Sequence, residues 1–196
     1  MDNTICIVIS RYNEKLDWIK NIPDEYNKIV YNKGDSLPSD FNSIPLENVG
    51  REGHTYYKYI YDNYENLPNH VIFLQGYPFD HSPNLINVLN KYSVDKNRPT
   101  GFEYISNHFV NCNISGCRYN RKAPLRDIYE KLFGKRIENM PFRFAVGAQF
   151  IVSKQQILKR SREFYLKIVD MLSHSPNPIE GHVIERFQPF IFSDDA

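Results

Sequence analysis

Residues 4–10, TICIVIS, are apolar and β-branched with no polar alternation. That is the pattern of a central strand buried on both faces of a sheet. Working outward, RYNEKLDWIKNI (11–22) predicts a short helix with Leu16, Trp18 and Ile19 on its inner side, and KIVYNKG (28–34) predicts a second strand closed by glycine. A loop rich in Ser, Pro, Asp and Asn covers 35–47. REGHTYYKYIYDNYENL (51–67) sets Tyr56, Tyr57, Ile60, Tyr64 and Leu67 at near-helical spacing, and Pro68 stops it. A strand follows over 71–74, and then SPNLINVLNKYS (82–93) reads as a helix with Ser82 as N-cap and Pro83 in the first position. Strand and helix thus alternate three times, which predicts an α/β fold with a mainly parallel sheet covered by helices.

The middle, 94–145, is less periodic, with one clear helix over 124–134. VGAQFIVS (146–153) predicts a late strand, 154–174 the longest helix, and 179–192 a closing helix interrupted by Pro189. At 196 residues, with no internal repeat or low-complexity linker, the chain is expected to be one domain spanning 1–196.

The charge is nearly balanced, with 24 basic against 23 acidic residues, so a protein that works by blanketing phosphates is excluded and no nucleic-acid partner is expected. The basic runs RYNRK (118–122) and KRSRE (159–163) read as solvated faces, and only the first, with Tyr119 inside it, is placed to touch a phosphate. No apolar stretch approaches the ~20 residues of a membrane span, and no secretory core is visible, so a cytoplasmic protein is expected. The three cysteines, Cys6, Cys112 and Cys117, form an odd set without a paired CxxC. They predict neither a disulfide framework nor a zinc knuckle.

In open parallel sheets, ligands bind beyond the carboxyl ends of the strands. The first strand delivers Arg11, Asn13 and Glu14 there, the second Asn32, and the third Gln75 and Gly76, followed by Asp80 and His81 after a Tyr-Pro-Phe bend. A carboxylate beside an imidazole suits Mn²⁺ or Mg²⁺, which keep waters and share diphosphate oxygens with one or two protein ligands. Asp80 and His81 read equally as a turn residue and its neighbour. NVGREGHTYY (48–57) adds Arg51, a fork for phosphate or carboxylate, and His54 at a helix start. His182 and Glu185 stand three apart on one helical face, as a general-base pair or a solvated pair. Gln149, among apolar neighbours, can hold a sugar hydroxyl or a backbone group.

The ordered blocks VISRYNEKLDWI, VYNKG, NVGREGHTYYKYI, LPNHVIFLQGYPFDH, VGAQFIVSKQQILKRSREFY and EGHVIERFQPFIF resemble the family catalogued as domain of unknown function 3431, over about residues 5–192. That layout in turn resembles the GT-A class of nucleotide-sugar glycosyltransferases. The resemblance implies a three-layer α/β/α sandwich with a Rossmann-like, GT-A-like sheet. It implies sugar transfer from a UDP- or GDP-sugar to a hydroxyl of a glycan or protein acceptor. Arg11, Asn13, Glu14, Asn32, Arg51, Gln75 and Gly76 would then face the donor. Asp80 and His81 would hold Mn²⁺ or Mg²⁺, His182 and Glu185 would be the catalytic pair, and Gln149 and His54 would meet the acceptor. The sequence departs from the class by carrying Gln75-Gly76 where acidic residues are usual. Two other readings are a hydrolase with zinc on Asp80, His81, His54 and His182, and a catalytically silent binding module.

Overall fold

A computed structural model of the chain describes residues 4–94 and 98–193. Its eight strands are β1 (Ile5–Arg11), β2 (Asn27–Asn32), β3 (Ser43–Pro45), β4 (His70–Gln75), β5 (Phe102–Tyr104), β6 (Phe109–Asn113), β7 (Pro141–Ala145) and β8 (Phe150–Ser153). The helices are α1 (Arg51–Asp62), α2 (Leu85–Val94), α3 (Leu125–Phe133), α4 (Lys154–Ile157), α5 (Arg162–Leu172) and α6 (Ile179–Ile191). Six strands form one sheet in the order β3-β2-β1-β4-β8-β5, and β6 pairs with β7 in a separate antiparallel ribbon.

β1 is buried along its whole length and pairs in parallel with β2 and with β4, as its unbroken apolar run requires. Its alternate side chains enter two different cores. Ile5, Ile7 and Ile9 pack with Trp18, Leu85 and Leu89, whereas Cys6 and Val8 pack with Tyr56, Ile168 and Phe187 from α1, α5 and α6. This is a mixed α/β fold with a mostly parallel sheet flanked by helices, as expected. The late strand β8 departs from the parallel pattern: it runs antiparallel to both β4 and β5.

Several local expectations change. The segment after β1 forms only a 3₁₀ turn, Asp17–Asn21, because Trp18 Nε1 donates to the Gly76 carbonyl at 2.9 Å and pins the turn under the β4 end. The long helix expected over 154–174 is two helices. Ser161 caps the second by accepting from Phe164 N, so its hydroxyl competes with helix continuation. Ser82 is no N-cap: α2 begins at Leu85, and the Ser82 hydroxyl is buried without a partner. Pro189 lies inside a continuous α6 rather than breaking it. Within the aperiodic middle, Cys112 and Cys117 form a disulfide across the reversal that follows β6, which corrects the reading of unpaired cysteines. Their Cα atoms lie 4.8 Å apart, so a tight turn supplied the proximity that sequence spacing alone did not signal.

Candidate functional site: two cavities meeting at Arg51 and Gln75

Chain order turns between β1 and β4: β2 and β3 lie on one side of β1, and β4 on the other. At such a switch point the loops from neighbouring strand ends part and leave a crevice. A cavity of about 510 Å³ lies there, lined by Ser10 and Arg11 from β1, Lys33 after β2, Gln75 from β4, Arg51 and Glu52 from α1, and Tyr77 and Asp80 from the bend. A second cavity, of about 350 Å³, adjoins it and shares Arg51 and Gln75. Its remaining wall comes from His81, His108, Tyr119, Phe144, Gly147, His182, Glu185 and Arg186. A larger hollow of about 660 Å³, lined by Thr4, Asn27, Asn66 and Leu67, lies by the opposite, amino ends of β1 and β2 and gathers none of the expected site residues.

The first cavity has a rigid rim. Arg11 is buried, and its guanidinium donates to Asn32 Oδ1 at 2.6 Å, to the Asp35 carbonyl at 2.7 Å and to the Glu14 carbonyl at 3.1 Å. Asn32 Nδ2 also donates to the Asp35 carbonyl, and Asp35 N donates to Asn13 Oδ1. Arg11, Asn13 and Asn32 therefore fasten the β1 and β2 loops to each other. Glu14 accepts from Tyr12 N, and its carboxylate lies against Gly76, where a Cβ would meet Glu14 Oε2 at 2.5 Å. A side chain there would displace the Glu14 carboxylate from this position.

Lys33, absent from the expected site residues, is a second buried cation of this cavity beside Arg11. Its ammonium donates to the carbonyls of Val49 and Arg51, latching the β2 end to the start of α1. Burial pushes its pKa down to about 8. Arg51 begins α1 with a left-handed φ of 52°. Its Nη1 lies 3.2 Å from both ring nitrogens of His182, and its Nε 3.7 Å from Glu52. Burial, then the charges of Arg51 and Arg186, hold the His182 pKa below the ordinary value, so the imidazole is neutral at pH 7.

Glu185 is the titratable centre of the second cavity. It is half-buried and accepts from Gly147 N at 2.8 Å. Burial, reinforced by Glu52, pushes its pKa up to about 7 against the opposing Gly147 hydrogen bond. Gly147 has a left-handed φ of 96°, and a Cβ on it would meet the His81 ring at 2.5 Å. Only glycine lets this peptide pass between His81 and Glu185 with its N–H aimed at the carboxylate.

The other expected residues divide. Asp80 is exposed and lines the first cavity, whereas His81 faces the second. The two expected metal ligands thus line different cavities, and only the Asp80 carboxylate faces the first. Among the described residues no three of His, Cys, Asp and Glu gather as a metal site, so the zinc arrangement of Asp80, His81, His54 and His182 is not assembled. Gln149 is fully buried and lines neither cavity; its Nε2 donates to the Pro78 carbonyl at 2.9 Å and holds the bend that carries Asp80 and His81. His54 is likewise buried away from both cavities, its Nδ1 unpartnered.

Lys33, Glu52, Tyr77, His108 and Arg186 also line the walls without having been among the expected site residues, and Tyr119, read only as part of a basic run placed to touch a phosphate, lines the second cavity. Lys33 stood at a strand end, the one positional signal among them. His108 and Tyr119 arrive through the β6–β7 ribbon and its loop, where no periodicity pointed. No curated protein and no solved structure matches the chain. Over residues 6–196 it matches the family described as "Protein of unknown function (DUF3431)", and it belongs to that family.

Proposed function

We propose that the two cavities are the donor and acceptor halves of a glycosyltransferase site that moves a sugar from a nucleoside diphosphate sugar to a hydroxyl acceptor. On this reading the sheet and its helices form a three-layer, GT-A-like sandwich. The observation that carries the proposal is the junction: a polar crevice at the strand carboxyl ends shares Arg51 and Gln75 with a neighbouring cavity that holds a carboxyl poised near neutral pH.

The diphosphate of a UDP- or GDP-sugar would lie in the first cavity near Lys33 and Arg51, whose fixed charges oppose the charge that develops as it departs. Mn²⁺ or Mg²⁺ would be held by Asp80 together with phosphate oxygens, and would supply Lewis acidity to the leaving group. The acceptor hydroxyl would face Glu185. A base titrating near 7 is ionised often enough to act and basic enough to take a proton. In an inverting displacement the acceptor oxygen bonds to the anomeric carbon, its proton passes to Glu185, and the bond to the diphosphate breaks with its electron pair leaving on oxygen. His182, kept neutral beside Arg51, orients that guanidinium at the junction.

The test is a thermal-shift panel of UDP, GDP and CMP with their sugars, each with and without Mn²⁺ or Mg²⁺. A nucleotide at 100 times its Kd stabilises the native state by about 2.7 kcal/mol, or roughly 5–10 °C for a chain of this size. One nucleotide class should give this shift, with the metal-dependent part lost in Asp80→Ala. No shift from any nucleotide refutes the proposal.

A further inference from the structure

Arg186 lies in the wall of the second cavity with only 4 % of its surface exposed. Its Nη1 donates to the His182 carbonyl and its Nη2 to the Tyr119 carbonyl at 3.1 Å, and the guanidinium stands 5.0 Å from the Phe144 ring centroid. Its Nε is buried without a hydrogen-bond partner, and among the described residues no carboxylate forms an ion pair with it. Besides the carbonyls and the ring face, only the Glu185 carboxyl, itself pushed up to about 7, acts on this buried guanidinium, so the counter-charge that normally offsets its desolvation is incomplete at neutral pH. The same cavity is lined by a second arginine, Arg51, against the single carboxyl of Glu185, and by the imidazoles of His81, His108 and the neutral His182, which add hydrogen-bonding groups. Beside the cavity wall, the Arg118 guanidinium lies 5.9 Å from the ring centroid of the lining residue Tyr119, and Arg121 and Lys122 are exposed on the same loop. In a chain of net charge +1, this is a local concentration of positive charge and not a general property.

We infer that the second cavity binds a small sugar acid, a saccharide bearing a carboxylate, sulfate or phosphate, with its oxyanion paired to Arg186 and its reacting hydroxyl toward Glu185. The inference rests on the acceptor reading of this cavity. Arginine offers paired donors that fit a planar or tetrahedral oxyanion, and a volume of about 350 Å³ is at the small end of ligand pockets. A neutral sugar would leave the Arg186 charge as it stands, whereas an acid compensates it through the Nη donors that the carbonyls leave over.

The experiment titrates the full chain, by calorimetry, with matched pairs: galacturonate, galactose 6-phosphate and galactose 6-sulfate, each against galactose. A ten-nucleotide oligo(dT) serves as a competitor polyanion. At least one acid should bind ten-fold or more tightly than its neutral partner, and Arg186→Met should abolish that preference. Arg118→Ala, beside the cavity wall, should weaken the acid two- to five-fold while leaving the fold intact. Equal binding within every pair, no binding of any acid, an acid preference that survives Arg186→Met, or tighter binding of oligo(dT) than of every sugar would overturn the inference. If Arg186→Met does not fold, the matched pairs on the natural sequence and Arg118→Ala still decide it. Nucleotide binding is measured in the same preparations. Nucleotide binding without acid preference sinks this inference alone, whereas acid preference without nucleotide binding sinks the transferase reading and leaves the oxyanion site standing.

Discussion

Replacing Glu185 by glutamine should make the protein more stable at alkaline pH, by an amount that the site itself sets. The Glu185 carboxyl titrates near 7 in the folded chain against an ordinary 4.5, chiefly because burial penalises its charged form. Between these values the native state holds a proton that the unfolded chain has released, so unfolding stability falls as pH rises from about 4.5 to about 7 and then levels. The gap corresponds to about 3 kcal/mol lost above pH 7. A glutamine side chain can still accept the Gly147 N–H through its amide oxygen, so Glu185→Gln removes the charge and keeps the hydrogen bond. Urea denaturation at half-unit steps from pH 4.5 to 8.5, on both proteins, isolates Glu185 and the charges coupled to it, because titrations elsewhere in the chain cancel in the difference. The variant should gain nothing at pH 4.5 and about 2–3 kcal/mol at pH 8, equivalent to roughly 4–12 °C in Tm for a chain of this length. A difference independent of pH, or a variant less stable at pH 8, would refute the electrostatic account of the site.

Three further outcomes follow from the same geometry. His54 is buried and held down to about 4, so its contribution to stability is complete above 6.5 and is lost as pH falls toward 4, by about 3 kcal/mol; acid-titration melts of His54→Leu should lack this component. Gly147→Ala should cost about 2 kcal/mol or more through its left-handed backbone and the His81 ring, and denaturant melts at pH 7 measure it. Reducing Cys112–Cys117, whose sequence separation is 5, should lower stability by about 2 kcal/mol; melts with and without dithiothreitol should differ for the natural chain and not for the double serine variant.

The parallel half of the sheet was legible because burial on both faces leaves a continuous apolar run, as in TICIVIS, and because glycine and proline punctuate the strand ends. β8 was visible as a strand, but its direction was not. Periodicity reports which face is buried and carries no sign for parallel or antiparallel pairing. The β6–β7 ribbon escaped because each strand has only five residues, too short for V-N-C-N or F-R-F to stand out as alternation, and a long segment containing α3 separates them in place of a hairpin turn. Through that ribbon the second cavity gains His108 and, on the following loop, Tyr119. Of the site, Arg51, Gln75, Asp80, His182 and Glu185 were nameable from strand ends and helical spacing. What sequence spacing cannot hold is partnership over long separations: Arg11 spends its donors on Asn32 and Asp35, Gln149 on Pro78, and Arg186 reaches Tyr119 across 67 positions.

The most direct measurement is release of nucleoside diphosphate from a panel of nucleotide sugars, followed over time in the natural chain and in Glu185→Gln, with Mn²⁺ or Mg²⁺ present. Sugar transfer to acceptor or water predicts release from one nucleotide class, falling about 100-fold or more in Glu185→Gln as expected for loss of a general base, with nucleotide binding unchanged. Release from no nucleotide sugar, or release at equal rates in both proteins, would contradict the account.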